Sequence, residues 1–433
     1  MANSSIVKKS LNAHSAIALA VSGVLYIICL SGTISVFKDE LMLFENRTEP
    51  VVSSISGEAA EKAAANAIAL DPETAHLFIH MPADDNKRAI VETDNKEHYI
   101  DENGNIIAPT HYPWNDFLIN LHYYLNIPSI IGMVIVAIFG VFLFAISLSG
   151  FFAHPNIFKD AFSFRLNKSE QIKQVDLHNR LSVWTSPFIF AVTLSGTMIG
   201  LSIVAALFVG YLKYDGDYEA VFEPVFGAEP EMNLEKAPLV DFSKAFNYLN
   251  EHHPDKPMVY VILHDPGTKG QYLQIMAEHP RRLIYAEKYN FNGDAEFVGT
   301  VGSADGTIGQ QIADSMYKIH FGYFGGYPIK FAYFLFGIAL LYIIHSGTKI
   351  YFIKQASAGN PLPQFEAAWA AVIWATPSML VTTYVISFIF HDKAVPLAPI
   401  FWLGHIGFIA IFVMKTRSRL SLLSQVDPQS EVS

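Results

Sequence analysis

The sequence predicts a mainly α-helical membrane protein with six transmembrane helices and two small α+β modules. Of the 433 residues, 51% are hydrophobic and only 16% are charged, which is too apolar for an ordinary soluble protein. Six apolar segments reach the roughly 20 residues that a helix needs to cross a bilayer. The chain also contains an internal repeat, which predicts a four-helix core built from a duplicated unit.

The repeat begins with a histidine, an apolar run and Ser-Gly-Thr, and this pattern occurs after His14 and again after His178. Each copy continues with a polar region, a second histidine (His122 or His320) and another apolar segment that ends on Ser-Gly. A polar ring in a membrane helix costs free energy unless it is used. Histidines duplicated at one register therefore predict a paired function.

The apolar segments and the regions between them define the predicted organisation. The predicted spans are 16–37, 127–152, 181–212, 331–352, 367–390 and 394–414. The chain then divides into the N-terminus with the first span (1–37), an outer module (38–126), the second span (127–152), a cytoplasmic loop (153–180), the third span (181–212), a second outer module (213–328), the fourth span (329–353), and two additional spans with a cytoplasmic tail (354–433).

Charge predicts the orientation of these segments. Residues 38–121 carry 16 acidic and 6 basic side chains, and residues 214–328 carry 17 acidic and 8 basic ones. The short connections are basic instead, and basic short loops stay in the cytoplasm. The sequence therefore predicts that both termini are cytoplasmic and that the two acidic modules lie outside. Acidic modules also disfavour highly anionic ligands, because like charges slow encounter.

Each outer module is predicted to contain one helix followed by three short strands. The first module has a helix at 57–70, capped by Ser56, and strands at 76–81, 88–92 and 98–107, the last interrupted by a turn at 101–104. The second has a helix at 241–251, strands at 258–263, 271–277 and 283–289, and a turn at 290–293.

Several function classes lack support in the sequence. There is no basic extramembrane domain of the kind that binds nucleic acid. Phosphate-binding loops, dinucleotide fingerprints and catalytic serine motifs are absent by inspection, so the chain is not expected to take a hydride from NAD(P)H. The single cysteine, Cys29, allows no intrachain disulfide. The sequence identifies no catalytic residue.

The duplicated order of these motifs resembles the PepSY-associated transmembrane proteins, which include inner-membrane ferric-siderophore reductases of Gram-negative bacteria. The resemblance covers about residues 1–355. It rests on His14 and His178, on the pairs Leu121-His122 and Ile319-His320, and on two modules that look like PepSY domains. It implies b-type haem, a bacterial inner-membrane location with periplasmic modules, and a four-helix core to which the last two helices are an addition.

The histidines of the core are the predicted haem-iron ligands. A neutral imidazole is the usual axial ligand of b-type haem, and two from different helices can hold one porphyrin. We predict His14 and His178 at cytoplasmic helix ends and His122 and His320 on the outer side, which would give two haem b sites on opposite faces. His345, in the cytoplasmic third of the fourth span, could replace an inner ligand. Six glycines could leave clearance for the porphyrin: Gly23, Gly32, Gly132, Gly140, Gly196 and Gly337.

The predicted function is transfer of electrons from membrane quinol or a separate reductase, through two haems, to a periplasmic ferric siderophore or other ferric complex. One alternative is a PepSY regulatory protein that binds peptides or peptidases without redox activity. Another is a transporter, suggested by the repeat but weakened because no intramembrane carboxylate is evident. The remaining histidines are predicted to be structural, solvated or interfacial, including His154, His391 and His405.

Overall fold

The structure, a computed structural model, describes residues 4–46, 49–83, 87–153, 156–162, 169–227, 232–281, 283–301, 305–391 and 393–426. His154, predicted to be a loop residue, lies outside these ranges. The chain forms two compact units, and it passes from one to the other at four places. The first unit contains Met1–Lys38, Pro113–Leu201 and Gly326–Ser433, and the second contains Asp39–Tyr112 and Ser202–Gly325.

Helices dominate the described residues. They are α1 (Ser4–Ser35), α2 (Lys38–Glu45), α3 (Gly57–Leu70), α4 (Pro113–Tyr124), α5 (Ser129–Ala153), α6 (Ile157–Asp160), α7 (Glu170–Lys213), α8 (Glu223–Phe226), α9 (Phe242–His252), α10 (Ile308–Phe321), α11 (Gly326–Ser357), α12 (Pro363–Ile389) and α13 (Leu397–Val426). A 3₁₀ turn occupies Glu219–Val221. By length and composition, α1, α5, α7, α11, α12 and α13 can cross a membrane, which confirms the six predicted transmembrane helices.

Two of these helices begin well before their apolar segments. Helix α1 starts at Ser4 and α7 at Glu170, so His14 and His178 lie two to three turns inside their helices at roughly 3.6 residues per turn. The prediction that they lie at helix ends is wrong in this respect. Polar side chains support the extra turns of α7, because Gln174 Nε2 donates to Glu170 Oε1 at 2.8 Å in the i, i+4 relation that stabilises a helix.

The membrane unit is organised around α1, which packs against α5 and α11. Buried aliphatic side chains from α1, α5, α7 and α11 form one cluster: Val21, Leu25, Leu143, Ile146, Ile189 and Leu340. Small residues bring the helices close together, as membrane helices require in the absence of a strong hydrophobic driving force. A Cβ on Gly200, for example, would lie 2.8 Å from the Cβ of Ala137.

The two additional helices, α12 and α13, pack on each other and against α1 and α4 of the first repeat. Indole hydrogen bonds hold them there: Trp114 Nε1 donates to the carbonyl of Leu380 at 3.2 Å, and Trp402 Nε1 donates to that of Leu125 at 3.1 Å. The buried ring of His405 bonds to the Thr376 hydroxyl at 3.1 Å. These contacts support the structural role predicted for His405.

The second unit contains a single eight-stranded antiparallel sheet. Its strands are β1 (His76–His80), β2 (Ala89–Thr93), β3 (Glu97–Ile100), β4 (Ile106–Pro109), β5 (Met258–His264), β6 (Tyr272–Ala277), β7 (Glu287–Phe291) and β8 (Phe297–Val301). Their order is β4-β3-β2-β1-β5-β6-β7-β8. Strands β1 and β5 pair with Phe78 opposite Ile262, so the two modules share one sheet. The sequence did not predict this joining.

Helices α3 and α9 pack on each other and, with inward-facing strand residues, form the main core of the unit. The Ser56 hydroxyl caps α3 by accepting from the Ala59 amide at 3.2 Å, which agrees with the sequence. The Asp241 side chain caps α9 in the same way through the Lys244 amide. Asp241 is thus the cap of this helix and not its first helical residue.

The end of the second module differs from the prediction. Strand β7 begins at Glu287, later than predicted, and ends at Phe291, within the expected turn. It includes Asn290 because this residue pairs with Gln274 and accepts a hydrogen bond from its Nε2 at 2.9 Å. The turn follows at Asn292, whose side chain accepts from the amides of Asp294 and Glu296. Strand β8, which was not predicted from the sequence, then completes the sheet.

Several outer histidines have structural partners. His80 Nε2 lies 3.0 Å from a Glu92 carboxylate oxygen. His264 stacks on Tyr272 with ring centres 4.1 Å apart, and burial lowers the pKa of His264 to about 4. These contacts support the structural interpretation of these outer residues.

A paired-histidine site in the membrane unit

The structure brings together the two histidines that open the repeats. The rings of His14, on α1, and His178, on α7, have centres 6.4 Å apart and planes inclined at 83°. Both side chains are partly buried among α1, α5, α7 and α11. The duplicated register in the sequence therefore corresponds to two neighbouring imidazoles whose planes are nearly perpendicular.

The two rings are anchored in equivalent ways, each by the descending helix of its own repeat. The atoms in contact are His14 Nδ1 with Ile146 O (3.0 Å) and Ser149 Oγ (3.2 Å), and His178 Nδ1 with Ile343 O (3.1 Å) and Ser346 Oγ (3.0 Å). A carbonyl can only accept, so the proton of each neutral ring lies on Nδ1. The lone pair of each ring is consequently on Nε2.

The helices α5 and α11 continue past their Ser-Gly pairs, to Ala153 and Ser357, and these pairs explain how the rings fit. The serines contact Nδ1, and the glycines leave room beside the ring. A Cβ on Gly347 would lie 3.0 Å from His178 Cε1, and one on Gly150 would lie 3.5 Å from His14 Cε1. Both Ser-Gly pairs are visible in the sequence, but they were not assigned to the histidines. Their duplication was the signal that could have done so.

The distance between the two ring centres is close to that of two axial imidazoles on one haem iron. Two imidazoles on one iron are separated by two metal–nitrogen bonds of roughly 2 Å and two ring radii of roughly 1.2 Å, or about 6.4 Å between centres. The observed separation is 6.4 Å. Donation of the other ring nitrogen to a backbone carbonyl is also typical of metal-ligating histidines. Among the described residues, no group of three or more His, Cys, Asp or Glu side chains could hold a bare metal ion.

His122 is anchored in the same manner. It lies near the end of α4, and its Nδ1 donates to the carbonyl of Ile28 on α1 at 2.9 Å. Gly32 of α1 provides the space, because a Cβ there would lie 2.5 Å from His122 Cε1. His320 lies near the end of α10, in the other compact unit, with its ring 5.6 Å from that of Phe321. Pairing of His122 with His320 stays a prediction.

Comparison with known proteins identifies the group to which these features belong. Residues 11–354 match the PepSY-associated transmembrane region, which is well over half of the chain. The chain belongs to the PepSY-associated transmembrane family. The suspected family resemblance is thereby confirmed. The matched region contains all five candidate histidines and ends before α12 and α13.

An uncharacterised protein of Pseudomonas aeruginosa is also similar to this chain. The two are 28% identical over 118 residues, which is 27% of this chain and 30% of the other protein. The similarity therefore spans less than a third of that relative's length.

The fifth candidate histidine of this PepSY-associated transmembrane protein has a different environment. The His345 ring lies against Trp369 of α12, with centres 6.2 Å apart and planes inclined at 22°. Its Nδ1 is buried and has no hydrogen-bond partner among the described residues. His345 thus lacks the carbonyl anchor that the other three membrane-unit candidates share. A role as a haem ligand stays a prediction.

The expected porphyrin clearance is wrong for four of the six glycines. Protein atoms occupy the space beside Gly32, Gly132, Gly140 and Gly337, which contact His122, Tyr124, Thr197 and Thr33 respectively. These glycines serve close packing between helices and side chains. Beside Gly23, no heavy atom lies within 4 Å of the position that a Cβ would take.

Proposed function

We propose that this protein is an inner-membrane oxidoreductase that binds two b-type haems and passes electrons to a periplasmic ferric siderophore or other ferric complex. The observation that carries the proposal is the His14–His178 pair, whose ring separation and carbonyl anchors suit axial ligation. Family membership supports it. The donor would be membrane quinol or a separate reductase.

Haem b, when bound, supplies an iron that gains and loses one electron at a time. The Nε2 atoms of His14 and His178 would hold it. The carbonyls of Ile146 and Ile343 keep the Nδ1 protons in place, which fixes the ring orientation and raises the basicity of Nε2. The surrounding aliphatic cluster keeps water away.

His122 and His320 would hold the second haem, on the outer side. A hydrocarbon core of ~30 Å is too wide for one fast electron transfer, so a carrier near each face is required. The His122 anchor on Ile28 matches those of the inner pair, which supports the same ligand role. Electrons would then leave from the outer side.

Reduction of a ferric complex would release its iron. One electron converts Fe(III) to Fe(II), a softer and less charged ion that hard oxygen ligands bind less tightly. The large acidic modules, each an α+β unit with PepSY-like elements, would lie in the periplasm beside the acceptor. Their charge favours complexes that are not strongly anionic.

The test of this proposal is the absorption spectrum of the purified protein, expressed with a full cellular supply of haem. We expect a reduced b-type spectrum and about two haems per chain. A colourless protein would refute the proposal and favour a non-redox PepSY protein that binds peptides. One haem per chain would refute the outer site or the inner site, and the variants in the Discussion distinguish these.

The proposed orientation makes a separate prediction. Alkaline phosphatase fused after Asn105 or Gly293 should be active, because both positions lie in the acidic modules that would face the periplasm. A fusion after Lys168, which lies outside the described residues, should be inactive, and a fluorescent-protein fusion there should be bright. Phosphatase inactivity at either outer position would overturn the orientation and the assignment of inner and outer histidines.

A further inference from the structure

Two ring nitrogens between α11 and α12 are buried and lack partners. They are Nδ1 of His345 and Nε1 of Trp369, and neither forms a hydrogen bond with any described residue. Trp369 is only 8% exposed, and its ring also packs edge-to-face against Tyr26 of α1, with centres 5.9 Å apart. The three aromatic side chains therefore enclose two unused polar atoms within the membrane unit.

The repeat does not duplicate this polar group, because the equivalent positions in the other copy are apolar. The position equivalent to Tyr26 in the second repeat is Phe190, which packs against Phe144 and Phe151. The position equivalent to His345 in the first repeat is Leu148, which is 43% exposed. Polar residues replace apolar ones where α12 docks, and α12 lies beyond the region matched to the family. Of the three aromatic residues, only Trp369 lies beyond the region matched to the family.

A buried N–H or imidazole nitrogen without a partner costs free energy, and in hydrocarbon no solvent can compensate it. We propose that His345 and Trp369 bind the headgroup of a membrane quinol. The indole N–H can only donate, whereas the imidazole can accept or donate. The ring centres of His345 and Trp369 lie 6.2 Å apart, so one quinol hydroxyl can accept from the Trp369 N–H and donate to the His345 imidazole. The inference rests on the proposed function, because a haem oxidoreductase needs an electron donor and the quinol would be that donor.

Neighbouring polar side chains could carry quinol protons to water. The Tyr342 ring lies 6.3 Å from that of His345, and its hydroxyl donates to Gln174 Oε1 at 3.3 Å. Gln174 in turn donates to Glu170, whose carboxylate lies 3.4 Å from Lys349 Nζ. Glu170 and Lys349 are exposed. The chain of contacts thus leads from the vicinity of the proposed site to the surface.

The site is also next to the inner histidine pair. His345 lies between Ile343 and Ser346, the two residues that bind His178 Nδ1. One helical turn therefore contains both the anchor of His178 and the imidazole of the proposed quinol site. This proximity suits a donor that delivers electrons to the inner side.

The test is quinone binding to the purified, haem-loaded protein. The protein is labelled with a photoreactive azidoquinone in the presence of increasing concentrations of decylubiquinone, which competes for the site. The labelled peptides are identified by mass spectrometry. We expect label on peptides of α11 or α12 that decylubiquinone displaces. Trp369→Phe, which removes only the N–H, should weaken binding by about five-fold, as expected for one hydrogen bond. His345→Leu, which installs the residue of the first repeat, should weaken it at least as much.

Trp374→Phe is the matched control, since Trp374 lies on the same helix and is 62% exposed. It should leave quinone binding unchanged, and both tryptophan variants should keep the haem content of the parent. Absence of displaceable label would show that water satisfies the two nitrogens and would overturn the inference. Equal weakening by Trp369→Phe and Trp374→Phe would indicate general partition and also overturn it, as would loss of haem from His345→Leu.

These outcomes separate the site from the proposed function. A colourless protein that still binds quinone at α11 and α12 would refute the haem proposal and leave the site standing. A protein with two haems and no quinone binding would refute the site alone.

Discussion

Replacing His178 with leucine should remove one haem per chain and abolish reduction of an external ferric chelate. The expected haem content falls from about two to about one, because the remaining imidazole cannot supply both axial ligands. His14→Leu should remove the same haem, since the centres of the two rings lie only 6.4 Å apart. The measurements are pyridine-haemochrome content and ferric-chelate reduction in membranes.

The double variant provides the sharpest check. If both rings ligate one iron, His14→Leu combined with His178→Leu should lose no more haem than either single change. Loss of two haems in the double variant would show that the rings serve different irons, and retention of both haems in either single variant would show that the residue is not a ligand. His391→Leu, a change in a histidine predicted to be structural or interfacial, should keep both haems.

Replacing Gly32 with valine should remove the other haem. A Cβ at this position would lie 2.5 Å from His122 Cε1 and 2.8 Å from its Nδ1, so the imidazole must move away from Ile28 and lose its 2.9 Å hydrogen bond. Breaking one such bond costs roughly 0.5–1.5 kcal/mol, and displacement of the ring removes the ligand altogether. We expect haem content near one per chain by the same haemochrome assay, and loss of ferric-chelate reduction.

Gly23→Val is the matched control on the same helix, because no heavy atom lies within 4 Å of a Cβ at that position. Both variants place the same β-branched side chain in α1, so a general effect on the helix would appear in both. If Gly32→Val keeps two haems and normal reduction, the orientation of His122 is not required for haem binding. If Gly23→Val loses haem equally, steric displacement of His122 is not the cause.

The sequence predicted local structure correctly where the membrane or residues nearby in the chain determine it. The six membrane helices can be predicted from the sequence because the hydrocarbon core requires long apolar helices whose backbone groups bond to each other. The Ser56 cap is readable because its hydroxyl acts within one helical turn. By contrast, the turn expected at Asn290 became part of β7, because pairing with Gln274 across the sheet outweighed the local turn preference of asparagine.

The histidine pair shows what the internal repeat can predict about tertiary contacts. Equal registers in two copies imply a pseudo-twofold arrangement, and this is how the sequence could associate His14 with His178 before their rings were located. The glycines show the limit. Gly337 was expected to leave open space, yet Thr33 fills it, because whether a small residue leaves a cavity or allows close packing depends on what lies opposite.

The sequence by itself determined the number of membrane helices, the family, the duplication and the histidines at its repeated positions, because hydropathy and spacing are properties of the chain. Only the tertiary structure decided which carbonyls anchor the imidazoles, since every residue carries the same backbone acceptor and packing alone selects Ile146 and Ile343. The tertiary structure also decided the docking of α12 that buries Trp369 beside His345. Docking of membrane helices depends on close steric fit, and the apolar composition of α12 does not predict which surfaces fit together.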